Sequence, residues 1–369
     1  MKILLMGEYS NVHWTLAEGL RALGHDVTVL SNGDFFKNYP RDIDLVRKPG
    51  WLGGLEYMAK LHFVKPILRG YDVVQLINPM FLELRAERIF PVYRYLRRHN
   101  RAMFLGAFGM DYYWVHENDT RKPLRYSDFN IGDQLRHNAD AEKERRDWVG
   151  TAKERLNKTI AADCDGIIAG LYEYKVCYQP LFPEKTTFIP FPIKSKPDVG
   201  IIKDKLPGDK IRLFIGINRE RAAYKGTDIM LAAARRLASR YPERVELRVA
   251  ENVPFKEYVE MMNGSDAILD QLYSYTPSMN PLEAMSRGVI CVGGGEPENY
   301  EILGEDRLRP IVNVQPNEES VYSQLELLVL HPERIGRLKR QGIEYIRRHH
   351  DYKTVAQRYL DFYVAKGNL

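Results

Sequence analysis

The sequence has little cysteine, no long apolar run and none of several common catalytic signatures. Of its 369 residues only three are cysteines, and none forms a CxxC pair, which excludes a disulfide framework and a cysteine-rich zinc site. No uncharged apolar stretch reaches the length of about 18 residues that a membrane span needs. The apolar run at residues 1–6 stops at Gly7-Glu8, too soon for a signal-peptide core. Because GxGxxG, Walker A, HExxH and GxSxG patterns are absent, dehydrogenase, P-loop, zincin and serine-hydrolase functions have no support.

The charge balance and the histidines exclude further classes. With 54 Lys and Arg against 49 Asp and Glu, the net charge of +5 is too small to indicate a nucleic-acid partner. The nine histidines show no ligand spacing, and Asp42-Ile43-Asp44 looks like a metal-binding DxD but is expected to be an ordinary loop. We therefore expect a cytoplasmic protein.

Short apolar runs alternate with segments of helical periodicity along the chain. The first half predicts strands at 2–6, 27–30, 72–77, 103–107 and 166–169, and helices at 12–23, 91–101 and 152–162. The second half predicts strands at 212–217, 246–250, 267–269 and 289–292, and helices at 227–239, 254–262, 318–330, 332–347 and 354–365. This alternation argues for parallel sheets covered by helices. We predict an α/β protein with two domains, 1–195 and 205–350, a linker near 191–210, and a last helix (351–369) that packs back on the first domain.

Two cations follow the first strand of the second domain. Arg219 comes after Gly216-Ile217-Asn218, and Lys225 stands six positions later, just before a helix begins. In open parallel sheets ligands bind beyond the carboxyl ends of the strands. An arginine fork, a lysine charge and a helix N-terminus would together suit a diphosphate. The alternative is that both cations are solvated in a surface turn.

A second candidate is the segment Ser278-Met279-Asn280-Pro281-Leu282-Glu283. Asn280 can cap a helix whose first residue is Pro281, and Glu283 then completes a capping box without any function. Alternatively, the Glu283 carboxylate accepts hydrogen bonds from both hydroxyls of a ribose. The local pattern leaves both interpretations open.

These motifs together resemble the group 1 (family 4) glycosyltransferases. The resemblance rests on Lys225-Gly226, on Leu282-Glu283-Ala284-Met285 about 58 residues later, and on Arg287-Gly288-Val289-Ile290; Gly293–Gly295, Pro297-Glu298 and Leu23-Gly24-His25-Asp26-Val27 extend it over nearly the whole chain. It implies the GT-B architecture of two facing Rossmann-like domains with a deep interdomain cleft. It also implies metal-independent transfer of a sugar from a nucleotide-diphosphate donor with retention at the anomeric carbon. The nucleotide sugar is then a co-substrate, and no cofactor is expected.

The resemblance assigns roles by position in the second domain. Arg219 and Lys225 would hold the donor diphosphate and stabilise it as leaving group, Glu283 would bind the ribose, and Ser278 and Met279 would offer backbone N–H groups. The sequence also departs from the family. The usual second Glu, eight residues before Glu283, is Tyr275 here, which supplies a hydroxyl but no charge. The usual Gly-Gly after the first strand is Gly7-Glu8-Tyr9.

The first domain offers weaker candidates for the acceptor side. Asp111 in Gly109-Met110-Asp111 corresponds to the family's cleft-facing position, and would orient the acceptor hydroxyl or the donor sugar, or simply occupy a turn. Glu8, Ser10 and His13 would border the acceptor. The polar stretch 112–150 predicts a long loop whose aromatic side chains either stack on sugar rings or pack beneath the loop.

Four arginines mark one face of the predicted helix at 91–101. Arg94, Arg97, Arg98 and Arg101 follow the spacing i, i+3, i+4, i+7, so they would meet anionic lipid headgroups or form a solvated face.

Three functional hypotheses remain at this point. The leading one is a retaining, metal-independent hexosyltransferase that moves a sugar from a nucleotide-diphosphate sugar to an oligosaccharide, lipid-linked or other hydroxyl acceptor in polysaccharide or glycoconjugate synthesis. The second is a nucleotide-sugar epimerase of the same fold. The third, motivated by Tyr275, is a catalytically silent nucleotide-sugar-binding protein.

Overall fold

The fold is described on a computed structural model that covers residues 1–195, 202–251 and 253–369; residues 196–201 of the predicted linker lie outside the described residues. In this part of the chain the strands are β1 (Lys2–Met6), β2 (Asp26–Ser31), β3 (Ile43–Asp44), β4 (Val73–Leu76), β5 (Ala102–Ala107), β6 (Asn130–Ile131), β7 (Gln134–Leu135), β8 (Gly166–Ala169), β9 (Thr186–Phe188), β10 (Ile211–Ile217), β11 (Val245–Glu251), β12 (Ala267–Leu269), β13 (Ile290–Gly293) and β14 (Val312–Asn313).

The helices alternate with these strands through most of the chain. They are α1 (Val12–Ala22), α2 (Gly50–Val64), α3 (Ala86–His99), α4 (Tyr112–Thr120), α5 (Ala139–Trp148), α6 (Ala152–Asp163), α7 (Tyr172–Tyr178), α8 (Ala222–Lys225), α9 (Thr227–Arg240), α10 (Phe255–Asn263), α11 (Met279–Ser286), α12 (Pro297–Leu303), α13 (Glu318–Leu330), α14 (Glu333–His349) and α15 (Tyr352–Gly367). Among the described residues, no helix combines the length and the apolar character needed to cross a bilayer.

The chain divides into two compact units. The first contains 1–123, 144–192 and 352–369, and the second contains 124–143 and 193–351. The segment 124–143 therefore groups with the second unit, although it lies within residues 1–195 of the predicted first domain. The reason is physical, because its polar and aromatic side chains bond to residues of the second unit, as described below.

The first unit is built on a parallel sheet with the strand order β3-β2-β1-β4-β5-β8-β9. Its central strands are buried along their whole length: every residue of β4, β5 and β8 is buried, as two-sided coverage by helices requires. Helix α1 packs against α15 at Gly19, where a Cβ atom would come within 2.4 Å of the Tyr352 carbonyl oxygen. The glycine thus allows the two helix backbones to approach each other closely.

A chain of buried hydrogen bonds connects α1 to α15 through the sheet. The Nδ1 atom of His13 lies 2.8 Å from the Gly7 carbonyl oxygen, and its Nε2 atom lies 3.1 Å from Nε2 of Gln75. The Tyr363 hydroxyl donates to Oε1 of the same Gln75 side chain. Burial lowers the pKa of His13 to about 3, so the ring is neutral and can accept from Gln75 while it donates to Gly7.

The second unit is built on a parallel sheet with the order β11-β10-β12-β13-β14. Alternate residues of β10 point to opposite faces: Leu213 and Ile215 join the core formed with α9 and α13, whereas Phe214 joins Met262 and Ala284 from α10 and α11. Helices therefore cover both faces of this sheet as well.

Two of the predicted elements are wrong. The helix predicted from Pro91 to Arg101 begins at Ala86, and Pro91 lies inside it on an exposed position, where the missing hydrogen bond faces solvent. The long loop predicted for 112–150 contains α4, the β6–β7 hairpin and α5. Its aromatic residues are buried, so packing rather than a loop open to sugar rings explains them: Tyr112, Tyr113, Trp114, Tyr126, Phe129 and Trp148.

Tyr363→Phe tests the buried hydrogen-bond chain. It leaves the buried Gln75 amide oxygen without the donor that Tyr363 supplies, so we expect the free energy of unfolding to fall by about 1–3 kcal/mol. Urea denaturation followed by circular dichroism measures this. Val364→Ala, on the exposed side of the same helix, should change stability by less than about 0.5 kcal/mol. Equal stability of Tyr363→Phe and wild type would contradict the assigned chain.

Candidate functional site

The order of strands in the second sheet fixes where a ligand can bind. The chain runs from β10 to β11 on one side and then returns to β12 on the other side of β10. The loops that follow β10 and β12 therefore diverge at their carboxyl ends and leave a crevice between them. Arg219 and Lys225 follow β10, and Asp270 follows β12, so this edge concentrates charged side chains.

Lys225 lies in a loop that packs closely against the segment after β12. Its side chain is half-buried, and its carbonyl oxygen accepts from the Leu272 backbone N–H at 3.0 Å. The next residue, Gly226, has φ 71°, and a Cβ atom there would lie 2.6 Å from Cβ of Leu272. Glycine is therefore required by both conformation and space. Burial raises the pKa of the Asp270 carboxyl, while the positive charge of Lys225 acts in the opposite direction.

Arg219 occupies a more open position. Its side chain is 81% exposed and forms an ion pair with Glu251 at the end of β11, in which Nη2 donates to Oε2 at 3.2 Å. Gly216, near the end of β10, leaves room for Tyr258, because a Cβ atom at Gly216 would lie 2.7 Å from the Tyr258 ring.

The capping-box interpretation of Glu283 is wrong. Helix α11 begins at Met279 with Ser278 as its N-cap residue, two positions earlier than the pattern predicts, so Glu283 lies in the second turn. Its Oε1 atom accepts from Nε of Arg287 at 3.1 Å, and its side chain is 36% exposed. Asn280 donates to the Tyr258 hydroxyl at 2.9 Å instead of capping the helix.

The stretch Asp270–Leu272 connects the Lys225 loop to the start of α11. Asn280 and Gln271 hydrogen-bond to the Asp270 carboxylate, and Nε2 of Gln271 lies 3.4 Å from the Ser278 hydroxyl. The structure thus brings Lys225 and the N-terminal turn of α11 to one edge of the sheet. Backbone N–H groups at such a helix start favour an anion, and a half-buried ammonium group supplies the matching charge.

The segment 124–143 adds residues that the sequence analysis missed. The Glu296 carboxylate is buried and accepts from the Tyr126 hydroxyl at 2.7 Å, from Gln315 at 2.6 Å and from Nη2 of Arg125 at 2.7 Å. These donors lower its pKa despite its burial. The glycine run Gly293–Gly295 before Glu296 was a usable signal, because a Cβ atom at Gly294 would lie 2.4 Å from the Ser274 carbonyl oxygen, so only glycine fits there.

Tyr275 is bound to the same segment. Its hydroxyl accepts from the Arg125 backbone N–H at 2.7 Å, and its ring lies 4.8 Å from that of Tyr126. Burial raises the pKa of Tyr275 to about 12, so the hydroxyl stays protonated. The position that the resemblance assigns to the donor sugar thus anchors the 124–143 segment in this chain.

Arg136 of the same segment hydrogen-bonds to the backbone of the Lys225 loop. Its guanidinium donates to the carbonyl oxygens of Ala223 at 2.7 Å and Tyr224 at 3.2 Å, and lies 3.4 Å from the Tyr273 ring centre. The Tyr224 hydroxyl donates to Asp128 at 2.7 Å. These bonds fix the backbone immediately before Lys225, so Arg136 acts as a positioning residue.

The first unit has a cavity of its own at an equivalent place. Its volume is about 670 Å³, a size typical of small-molecule sites. Gly7 and Glu8 after β1 and Ile77 after β4 line it, which is the point where the strand order of this sheet reverses. Charged side chains at its wall include Arg47 and Arg85.

Glu8 lies at this cavity, but its carboxylate is bound to the start of α1. Its two oxygens accept from the backbone N–H groups of His13 at 3.2 Å and Trp14 at 2.9 Å. Burial raises the pKa of Glu8 to about 8 in spite of these bonds. Ser10 is half-buried, and its hydroxyl accepts from Lys37 Nζ at 3.1 Å. His13 belongs to the buried chain described above and does not line the cavity.

Asp111 has a structural role in this unit. It is completely buried, its Oδ1 atom accepts from the Trp114 N–H at 2.8 Å as the N-cap of α4, and its Oδ2 atom accepts from the Tyr178 hydroxyl at 2.7 Å. Burial raises its pKa to about 6. Both carboxylate oxygens are thus bound inside the unit, where Oδ1 caps α4.

Two of the four arginines of the predicted basic helix face, and both aspartates of the DxD pattern, are paired. Arg97 forms a bidentate bond with Asp165, at 2.6 and 3.1 Å, and Arg101 pairs with Asp72, while Arg94 and Arg98 are exposed. Asp42 pairs with Arg21, and Asp44 pairs with Arg41. Over the described ranges, no group of three His, Cys, Asp or Glu side chains is arranged to hold a metal ion.

Comparisons with known proteins place this fold. Residues 216–361 match the family model described as glycosyl transferase-like, and no curated protein matches the sequence significantly. HepE of Anabaena, solved with UDP and glucose, is 12% identical, with a TM-score of 0.60 and 98% of both chains covered. Sucrose-phosphate synthase from Thermosynechococcus elongatus is 13% identical, with a TM-score of 0.60 and 99% of both chains covered.

A third solved structure has a different activity. The UDP-GlcNAc 2-epimerase from Neisseria meningitidis, bound to UDP-GlcNAc, is 12% identical, with a TM-score of 0.53, covering 99% of this chain and 100% of that chain. The prediction of a GT-B fold is confirmed. The narrower assignment to group 1 (family 4) stays a prediction.

The raised pKa of Glu8 predicts a pH-dependent stability. The folded protein keeps this proton up to about pH 8, whereas an unfolded Glu loses it near its ordinary value of 4.5, so raising the pH favours the unfolded state. The contribution is fully present below pH 4.5 and is lost as the pH rises through 8. We expect Glu8→Gln to remove this part of the pH dependence of unfolding, measured by urea denaturation between pH 4.5 and 8.5. The control Glu87→Gln, at an exposed position, should keep the pH dependence of the wild type. Identical stability-against-pH curves for Glu8→Gln and wild type would refute a raised pKa at Glu8.

Arg136→Met tests how the Lys225 loop is positioned. Losing the guanidinium leaves the Ala223 and Tyr224 carbonyl oxygens without their donor, so we expect faster amide exchange at residues 222–227 and a stability loss of about 1–3 kcal/mol. Hydrogen exchange with mass spectrometry measures the first effect. Arg337→Met, on an exposed position of α14, is the control. Unchanged exchange at 222–227 would show that the loop does not depend on Arg136.

Proposed function

We propose that this protein is a retaining, metal-independent glycosyltransferase that transfers a hexosyl group from a nucleotide-diphosphate sugar to a hydroxyl acceptor. The observation that supports it most is that the half-buried residue Lys225 and Asn280, in the first turn of α11, both interact with the Asp270 carboxylate at the strand-order reversal of the second sheet. This edge lies within the residues that match the glycosyl transferase-like family model.

The donor diphosphate is the ligand that this edge suits best. Lys225 supplies a fixed charge, and Ser278 and Met279 begin α11, where unpaired backbone N–H groups attract phosphate oxygens. Arg219 is exposed, so its ion pair with Glu251 stabilises the free protein little and can be exchanged for a phosphate pair at small cost. Glu283, exposed by about a third, accepts hydrogen bonds from the ribose hydroxyls.

These residues also account for the chemistry of transfer. When the sugar–oxygen bond breaks, negative charge accumulates on the departing diphosphate. Lys225 and Arg219 stabilise that charge where it develops, which lowers the barrier without a metal ion. Asp111 is left out of the reacting groups because its carboxylate is buried and both its oxygens are bound.

The acceptor is assigned to the first unit. Its cavity of about 670 Å³ is large enough for a sugar residue and presents both arginine and carboxylate side chains to hydroxyl groups. An oligosaccharide or a lipid-linked glycan in cytoplasmic polysaccharide or glycoconjugate synthesis fits this chemistry. The UDP and UDP-glucose complexes of HepE support a uridine diphosphate sugar as the donor to test first.

Two other functions have specific support. The similarity to a UDP-GlcNAc 2-epimerase supports an isomerase that converts a nucleotide sugar without an acceptor. Tyr275, whose hydroxyl is bound by Arg125, supports a protein that binds the nucleotide sugar without turning it over. Product analysis separates the three: transfer needs an acceptor, epimerisation does not, and a binding protein yields no product.

Lys225→Gln tests the donor assignment. Removing the ammonium group leaves a bound diphosphate without its main positive partner, so we expect the Kd for UDP-glucose or the preferred UDP-, GDP- or ADP-sugar to rise at least tenfold. Isothermal titration calorimetry measures this. Lys256→Gln, at an exposed lysine of α10, should bind like wild type. The assignment fails if Lys225→Gln binds as tightly as wild type or if no nucleotide sugar binds the wild type.

A further inference from the structure

The first unit exposes a concentrated apolar surface on and beside α2. Of the seventeen large hydrophobic side chains that are exposed among the described residues, nine fall within residues 35–67. We define the α2 patch as the seven that lie on α2 or its flanks: Val46, Trp51, Leu52, Leu55, Met58, Phe63 and Ile67. Trp51 is 74% exposed and Phe63 is 79% exposed, so the patch consists of whole side chains rather than their edges. Soluble proteins rarely leave such a surface without a use.

Helix α2 is apolar on both of its sides. Gly53, Tyr57 and Leu61, spaced four residues apart, form the stripe that is buried against the unit. Trp51, Leu55 and Met58, at spacings of four and three, lie on the opposite side and are exposed. One side of α2 packs against the unit, and the other side is apolar but exposed to solvent. The exposed side is therefore available to bind a partner.

Positive charge surrounds this patch. Residues 46–69 contain five cations and one acid, which gives 5 − 1 = +4 with histidine neutral; the cations are Arg47, Lys48, Lys60, Lys65 and Arg69. The acid, Glu56, lies 3.0 Å from Lys48 and 3.7 Å from Lys60, both through exposed ion pairs that bulk water weakens. Of the other cations, Lys65 lies 4.5 Å from the centre of the Tyr95 ring and Arg47 lines the cavity of this unit. Neither contact neutralises the positive charge, so the segment keeps its net charge.

We infer that the α2 patch docks this protein onto the surface of a membrane that contains anionic lipid. Trp and Phe side chains insert at the level of the headgroups, while Lys and Arg beside them bind lipid phosphates. The charge argues against a second copy of the chain, because a two-fold dimer would bring the same cations face to face. The surface differs from the four arginines at 94–101 that the sequence indicated, two of which are bound to aspartates.

Vesicle co-sedimentation of the full chain tests this inference. We expect binding to vesicles of phosphatidylcholine with 30 mol% phosphatidylglycerol, weaker binding to phosphatidylcholine alone, and a decrease with added salt. The triple variant Trp51→Ser, Leu55→Ser, Phe63→Ser should bind the anionic vesicles at least tenfold more weakly. Its substitutions are on exposed side chains, so circular dichroism should show an unchanged fold.

Three further variants complete the design. Leu181→Ser, Leu330→Ser, Val364→Ser changes three exposed apolar side chains elsewhere and should bind like wild type. Arg94→Glu, Arg98→Glu, on exposed positions of α3, should also bind like wild type, whereas Lys65→Glu, Arg69→Glu should bind more weakly.

Trp51 gives a direct optical readout. Trp114 and Trp148 are buried and Trp14 is half-buried, so the exposed Trp51 should dominate a blue shift of fluorescence on adding anionic vesicles. Trp51→Phe keeps an aromatic side chain, so it should still bind but lose most of the shift.

Three results would overturn the inference. They are no binding of the wild type to anionic vesicles, equal binding of the Trp51→Ser, Leu55→Ser, Phe63→Ser variant, and a blue shift that persists in Trp51→Phe. Light scattering during size-exclusion chromatography adds a fourth: a wild-type dimer that this triple variant abolishes would identify the patch as a contact between copies.

Discussion

The structure depends on the burial of two sets of parallel strands. Helices cover both faces of each sheet, so the strand interiors hold mainly apolar side chains. Polar and charged side chains therefore lie mainly at the strand ends. This constraint concentrates charge where neighbouring loops diverge, after β10 and β12 in one unit and after β1 and β4 in the other. Lys225 and Asp270 in the first case, and Glu8 in the second, occupy those places. The candidate donor and acceptor sites thus follow from sheet topology before any family likeness is considered.

The same constraint explains why the segment 124–143, from the first half of the chain, packs within the second unit. Glu296 follows β13 as a buried carboxylate, and it needs donors that its own loop does not supply in full. Arg125 and Tyr126 provide them, and Arg136 binds the carbonyl oxygens just before Lys225. The segment therefore supplies hydrogen bonds to the buried Glu296 carboxylate and also fixes the backbone before Lys225. The hydroxyl of Tyr275, which anchors the segment, already accepts from the Arg125 backbone N–H, so under the proposed function the donor sugar is bound by other groups.

The sequence predicted the parts of the fold that show a clear period. Strands 2–6, 166–169 and 267–269 and the helix 318–330 agree with β1, β8, β12 and α13 in both bounds, because each is a short apolar run or a regular amphipathic stripe. Helix α2 gave no such signal, since it is apolar on both sides. The start of α11 was displaced by two residues because Asn280 and Pro281 form a good capping pattern, which the contact between Asn280 and Tyr258 overrides. Long-range contacts such as those of Glu296 have no local signature at all.

A structure of the protein with bound UDP tests the central claim most directly. The account predicts that the diphosphate lies within hydrogen-bond distance of Lys225 Nζ and of the first backbone N–H groups of α11, with the ribose hydroxyls on the Glu283 carboxylate and Arg219 turned away from Glu251. A nucleotide bound elsewhere, with Lys225 and Glu283 keeping their present partners, would contradict it.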